Sequence, residues 1–323
     1  MKILRREFLQ LVAAAAVLPA ASRIAWAQSY PARPVRIIVG FPPGTATDIV
    51  ARLLASSLSK RLGERFFVEN QPGAATNIGT ETAVRSAPDG YTLLAMTVTN
   101  AVNETLYKHL TFDFARDIVP VASTIQSSNV MEVNLLVPAK TVPEFIAHAK
   151  ANPGKINYGS LGYGTAPNMA AELFKMMTGV NMVQVPYRGS YMPDLIGGRI
   201  QVAFTPIPQT IANIRAGQLR ALAVTSAMPS DALPGIPTVG TFVPGYEATI
   251  WHGIGAPKGT PARIVNKLHK EINAILAEPT TRATLANLGA EPAPMTTPEF
   301  GKFITAQIDK WGKVVNFADI KIS

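Results

Sequence analysis

From Val35 onward the chain alternates short apolar runs with longer stretches of helical periodicity, and this rhythm restricts the fold more than any other feature. Val35–Val39 has strand length, and residues 48–62 set Ile49, Leu53, Leu54, Leu58 and Leu62 on one face of a helix. Residues 66–69 form the next strand, a glycine-containing loop follows, and a helix is expected over 78–86. Pro88-Asp89-Gly90 marks a turn before a third strand at 91–95. Strands alternating with helices pair in parallel and take helices on both faces, so the class is α/β.

The rhythm breaks at 119–137, a long extended stretch rich in β-branched residues, and then restarts. Thr141-Val142-Pro143-Glu144 opens a helix with a capping box. Strands are expected at 156–158, 182–185, 201–205 and 220–225, with a helix at 165–177. A second extended stretch, 246–256, precedes further helices, where Thr260-Pro261 and Thr297-Pro298 each read as an N-cap followed by proline at the first helical position. Two extended crossings around a self-contained α/β segment predict two lobes joined by two strands. Lobe I takes 28–125 and 250–323, and lobe II takes 126–249. A chain that crosses twice makes a hinge with a cleft suited to closing on a ligand. The alternative is one large continuous sheet.

The first 27 residues read as an address. Lys2, Arg5 and Arg6 precede an apolar run from Leu9 to Ala21, and Ala25-Trp26-Ala27 is a small-x-small cleavage signal before Gln28. Arg5-Arg6-Glu7-Phe8-Leu9 resembles the twin-arginine export signal, with an ordinary secretory signal as the alternative. Either way the mature chain is expected in the periplasm. Removing 1–27 takes Lys2, Arg5, Arg6, Arg23 and Glu7 with it, lowering the net charge from +9 to +6. The remaining cations are scattered, without runs or interleaved aromatics, so a general attraction for small anions is expected and nucleic acid is not. The chain has no cysteine, which excludes thiol nucleophiles, thiolate metal sites and disulfides. No cofactor or metal is called for.

The loop GFPPGTATD, residues 40–48, carries no lysine, cysteine or histidine. In an open parallel sheet, ligands sit beyond the carboxyl ends of strands, where helix N-termini point. The first turn of a helix has unpaired N–H groups and a partial positive charge, so it holds a carboxylate without a cationic side chain. Gly44 permits close approach, the prolines stiffen the loop, and Thr45 or Thr47 can cap the helix. Asn70-Gln71-Pro72-Gly73-Ala74-Ala75-Thr76-Asn77 repeats the arrangement after the second strand, with Asn77 as a natural cap. Each loop alone is an ordinary βα turn. Side by side on adjacent strands, the two make an anion site.

Enzyme signatures fail. Tyr158-Gly159-Ser160-Leu161-Gly162-Tyr163-Gly164-Thr165 fits neither G-x-G-x-x-G nor the G-x-S-x-G elbow, and no Walker A lysine is present. His109, His148, His252 and His269 have no metal-binding spacing. Asp113 and Asp117 read as surface charges, and Trp251 and Tyr187 could stack on a ligand or simply pack.

The residues resemble the periplasmic solute receptors of tripartite tricarboxylate transporters, the Bug family. The resemblance spans the mature chain and rests on PARPVRIIVGFPPGTATD (31–48), VENQPGAATNIGTETAVRSAPDGYTLL (68–94), YGSLGYGTAPNMAAELF (158–174), VPYRGSYMPDLIGGRIQVAF (185–204) and GAPKGTP (255–261), in that order and spacing. It implies a type II periplasmic-binding-protein fold and capture of a small organic carboxylate, as a monomer, for membrane permease subunits. It also implies that backbone groups of Pro43–Thr47 and Ala74–Asn77 hold the carboxylate. The expected contacts are therefore Phe41, Pro43, Gly44, Thr45, Ala46, Thr47 and Asp48 from the first loop, then Ala74, Ala75, Thr76 and Asn77 from the second. Thr97 joins them from beyond the third strand; Gly162, Thr165, Asn168, Pro186, Tyr187, Arg188 and Asp194 complete the set from lobe II. Thr45, Ala75-Thr76 and Asn168 stand where the family commonly has glycine, a glycine-rich run and histidine. The threonines narrow the site and add hydroxyls. Two other readings remain open: an enzyme acting on an organic acid with the same fold, and a sensor presenting its closed form to a signalling protein.

Overall fold

Val35, Ile37, Ile38 and Val39 are wholly excluded from solvent in β1 (Val35–Val39), which pairs in parallel with β2 (Phe66–Asn70) and β3 (Thr92–Thr97). A strand apolar on both sides belongs inside a sheet covered by helices. The computed structural model describes residues 30–187 and 189–320, so the expected export segment and the candidate contact Arg188 lie outside the described residues.

Helices α1 (Ala46–Leu62), α2 (Asn77–Val84), α3 (Val98–Leu106) and the short α4 (Phe114–Asp117) alternate with these strands. Thr45 caps α1 by accepting from Asp48 N, and Gly63 ends it in the left-handed region at φ 78°, donating to Ser59 O. The buried face of α1 is Val50, Ala51, Leu54, Ala55 and Leu58. Ile49, expected on that face, is 36% exposed, because the true stripe is rotated and made partly of alanines. The stretch 119–137 resolves into β4 (Ile118–Ser127) and β5 (Asn129–Asn134).

There follow α5 (Val142–Ala151), β6 (Ile156–Ser160), α6 (Ala166–Thr178), β7 (Met182–Pro186), α7 (Met192–Ile196), β8 (Val202–Pro206), α8 (Ile207–Arg215) and β9 (Leu219–Val224). The chain returns through β10 (Ile250–Pro257) to α9 (Ala262–Ala277), α10 (Pro279–Asn287), β11 (Ala290–Pro292) and α11 (Thr297–Phe317). Among the described residues, one sheet has the order β11-β4-β10-β3-β1-β2 and the other β7-β6-β8-β5-β9. The expectation of two α/β lobes holds, and the single-sheet alternative does not.

Several caps differ from expectation. Thr141 caps α5, but Glu144 reaches past it to accept from Lys140 N. Thr260 bonds Pro257 O rather than capping, leaving Pro261 at the start of α9. The cap of α11 is Thr296, in a capping box with Glu299, so Thr297 is already helical.

The chain changes sheet between Ser127 and Asn129, and again between Val224 and Ile250. Hydroxyls tie the two crossings together. Asn129 N donates to Thr225 Oγ1, which donates to Ala248 O, while Thr225 N and Ser226 N both donate to Ser128 Oγ. Apolar packing also spans the lobes: Val102, Leu106 and Trp311 share a cluster with Met169, Phe174 and Phe204. Burying each such side chain contributes about 1.5–3 kcal/mol, so the lobes are joined by core as well as by strands.

Candidate ligand-binding site

The first loop is shaped by a buried carboxylate. Asp48, 2% exposed, accepts from Gly44 N at 2.9 Å, Arg52 Nε at 2.9 Å and Asn70 Nδ2 at 2.8 Å. Burial by itself would raise its pKa, but the Arg52 guanidinium and the two N–H donors hold it below the ordinary carboxylate range. The loop therefore curls back over the helix start, with Gly44 at φ 84°. Gly44 spends its amide on Asp48, and Asp48 N and Ile49 N both turn to Thr45. At the first two helical positions, the amides of Ala46 and Thr47 have no carbonyl one turn back to meet, so they are the donors this end offers. Pro43, Gly44 and Ala46 are exposed beside them.

The Thr47 side chain points the other way, with Oγ1 3.0 Å from His252 Nε2 in a buried contact. Desolvation lowers the His252 pKa to about 4, so the ring is neutral at pH 7. Phe41 is partly buried against the core, and its carbonyl accepts from Asn70 Nδ2.

The second loop adopts a conformation that side-chain-bearing residues rarely take. Ala74, Ala75 and Thr76 follow one another at φ 44°, 48° and 81°. Each such residue costs about 1 kcal/mol or more, and the surroundings hold them there. Asn103 Nδ2 donates to Ala75 O and to Asn77 Oδ1, while Asn100 Nδ2 donates to Thr76 Oγ1 and Thr80 Oγ1. Asn77 is not the cap but the first residue of α2; Thr76 stands at the cap position. Asn77 Nδ2 is buried without a partner among the described residues. Successive amides in such a turn face one concave side and cup anions. Asn70 bridges the two loops through Asp48, Phe41 and Arg52.

Two of the expected contacts are buried and hydrogen-bond to the scaffold. Thr97 is buried and forms the capping box of α3 with Asn100. Asn168 is wholly buried, accepting from Gly164 N and donating to Tyr158 OH, which donates to Glu172. Thr165 donates to Gly162 O, and Gly162 takes φ 113°. Tyr187 N donates to Ser160 O, joining the end of β6 to the segment after Pro186. Tyr187 OH donates to Asp194, which also accepts from Arg199, so Asp194 orients this wall. Trp251 is 1% exposed among Phe300 and Phe303 and cannot stack on a ligand.

Sequence reading missed α3, which carries both asparagines and whose Leu106 side chain lies 2.6 Å from where a Cβ on Gly164 would fall. The signal was available in Thr97-Val98-Thr99-Asn100, a cap with an amide three residues on. His252, a lone histidine in a strand, gave no signal.

The description "Tripartite tricarboxylate transporter family receptor" matches residues 50–320. BugT of Bordetella pertussis is 35% identical over 301 residues, covering 92% of each chain. The structure of R. palustris Rpa4515 with adipate superposes with a TM-score of 0.78 at 34% identity, covering 90% of this chain and 99% of that one. MatC from Rhodopseudomonas palustris with bound malate gives 0.75 at 26% identity, over 88% and 100%.

Proposed function

The chain belongs to the tripartite tricarboxylate transporter family of receptors, and from that premise we propose that it captures one carboxylate of a small organic acid on the amides at the starts of α1 and α2. The observation that carries this is the pairing of the two helix starts beyond neighbouring parallel strands, bridged by Asn70 and held by buried side chains. Helix-end amides stabilise an existing anion in a fixed geometry, without needing a cation. The acids in the two related structures, adipate and malate, are small carboxylates, which supports the ligand class. Delivery to permease subunits in the inner membrane, after export to the periplasm, completes the proposal.

A thermal-shift screen of the mature protein against small organic acids, adipate and malate included, with the corresponding amides as controls, tests it. An acid present at a hundred times its Kd stabilises the fold by about 2.7 kcal/mol. The expected result is a raised Tm with at least one acid and none with its amide. Equal shifts with acids and amides, or no shift at all, would overturn the carboxylate reading.

A further inference from the structure

We propose that His252 is a positioning residue of this site, fastening the first turn of α1 to the strand that enters lobe I from the hinge. The proposal rests on the reading of the two loops as the binding site, yet its test requires no ligand. His252 is the third residue of β10, and Ile250, where β10 begins, pairs with Ser127, the last residue of β4 before the chain leaves the sheet. The Cα partners of His252 are Ile125 on β4 and Thr97 on β3. One neighbour thus lies on the outgoing crossing strand. The other caps α3, the helix whose Asn100 and Asn103 hold the second loop.

The imidazole meets Thr47 Oγ1 at 3.0 Å across 205 residues of sequence, with both residues 6% exposed. Thr47 is the second residue of α1 and supplies one of the two unpaired amides, so whatever moves its side chain moves that donor. On the other side of the ring, His252 Nδ1 and Thr124 Oγ1 have no partners among the described residues, and Thr47 and Thr124 share with the ring a cavity of about 10 Å³. The contact with Thr47 therefore sets both the orientation of the ring and the position of the helix start. A buried hydrogen bond of this kind loses little to competing water. Tilting of β10 at the hinge reaches the first turn of α1 through it.

The test is amide hydrogen exchange of the mature protein without ligand, read at Ile49, Val50 and Ala51, whose amides close the first turns of α1. Thr47→Val and His252→Phe should each speed exchange there by about tenfold. The double variant should be no faster than the faster single variant, and His252→Gln, which returns a polar group near the Nε2 position, should restore most of the protection. Amides of α9 should be unchanged. The Nε2 resonance of ¹⁵N-labelled His252 should shift in Thr47→Val, a readout that remains if the phenylalanine variant does not fold. Unchanged exchange at 49–51, additive effects in the double variant, or equal acceleration in α9 would each overturn the proposal. A screen that finds no bound acid would count against the carboxylate reading while leaving these rates unaffected.

Discussion

Gly40 faces Thr76 with no room between them: a Cβ on Gly40 would stand 2.6 Å from Thr76 Cβ and 2.9 Å from Thr76 Cα. The end of β1 and the second loop therefore meet through the absence of a side chain, and the spacing of the two helix starts depends on it.

Gly40→Ala should push the loops apart, costing about 1–3 kcal/mol as overpacking does and abolishing binding. A Cβ on Gly44 would meet nothing within 4 Å, so Gly44→Val is strained chiefly through its backbone at φ 84°, by about 1–2 kcal/mol or more, and places a side chain over the open face of the first loop. Calorimetry and thermal unfolding together check the pair. Both variants should lose binding, and Gly40→Ala should also disturb the packing between the loops. Retained affinity in both would remove these loops from the site.

The left-handed turn at 74–76 makes a second prediction. Ala75→Gly relieves strain at φ 48° and should stabilise the protein by about 1 kcal/mol. Asn103→Ala removes the donor that holds Ala75 O and should destabilise by about 1–3 kcal/mol while weakening binding. Denaturant unfolding of both variants reads the opposite signs; a destabilised Ala75→Gly would mean the turn is not strained.

Glu132 predicts a pH dependence. It lies wholly buried in β5, accepts from Thr210 Oγ1, and its other oxygen has no partner among the described residues. Burial, the largest effect acting on it, pushes its pKa up from 4.5 to about 7. The folded state therefore binds the proton more tightly than the unfolded chain. Its contribution is complete below about pH 4.5 and is lost as the pH rises to about 7, a change on the order of 3 kcal/mol. Glu132→Gln should flatten this slope and raise the Tm at pH 8. Unfolding curves from pH 4.5 to 8 decide it, and parallel profiles for the two proteins would refute it.

The bound acid should be returned unchanged. Catalysis requires interactions that strengthen in the transition state, and the carboxylates of the candidate set are already engaged: Asp48 with Gly44, Arg52 and Asn70, Asp194 with Tyr187 and Arg199. Mass spectrometry after prolonged incubation with an acid found in the screen should recover that acid alone. Several turnovers, lost in Asp48→Asn or Asp194→Asn, would favour the enzyme reading instead.

The sequence by itself determined the strand-helix alternation, the two crossings and the two loops that open α1 and α2, because these features are local. Apolar runs of strand length, glycines at turns and threonines at helix starts act within a few residues of themselves. The helix starts themselves were off by a residue or two: α1 begins at Ala46 rather than 48, and Asn77, expected as the cap, is the first residue of α2. A cap set by backbone geometry shifts the boundary without changing the local pattern. Only the tertiary structure decided what holds those loops in place. Asn103 reaches Ala75, His252 reaches Thr47, and Gly40 closes on Thr76 between parts of the chain that no periodicity relates. It also set Thr97, Asn168 and Trp251 in buried surroundings, since whether a polar or aromatic side chain is exposed depends on the packing of the whole fold. A hydrogen bond across 205 residues has no local signature; it exists because the folded sheet sets β10 beside the start of α1.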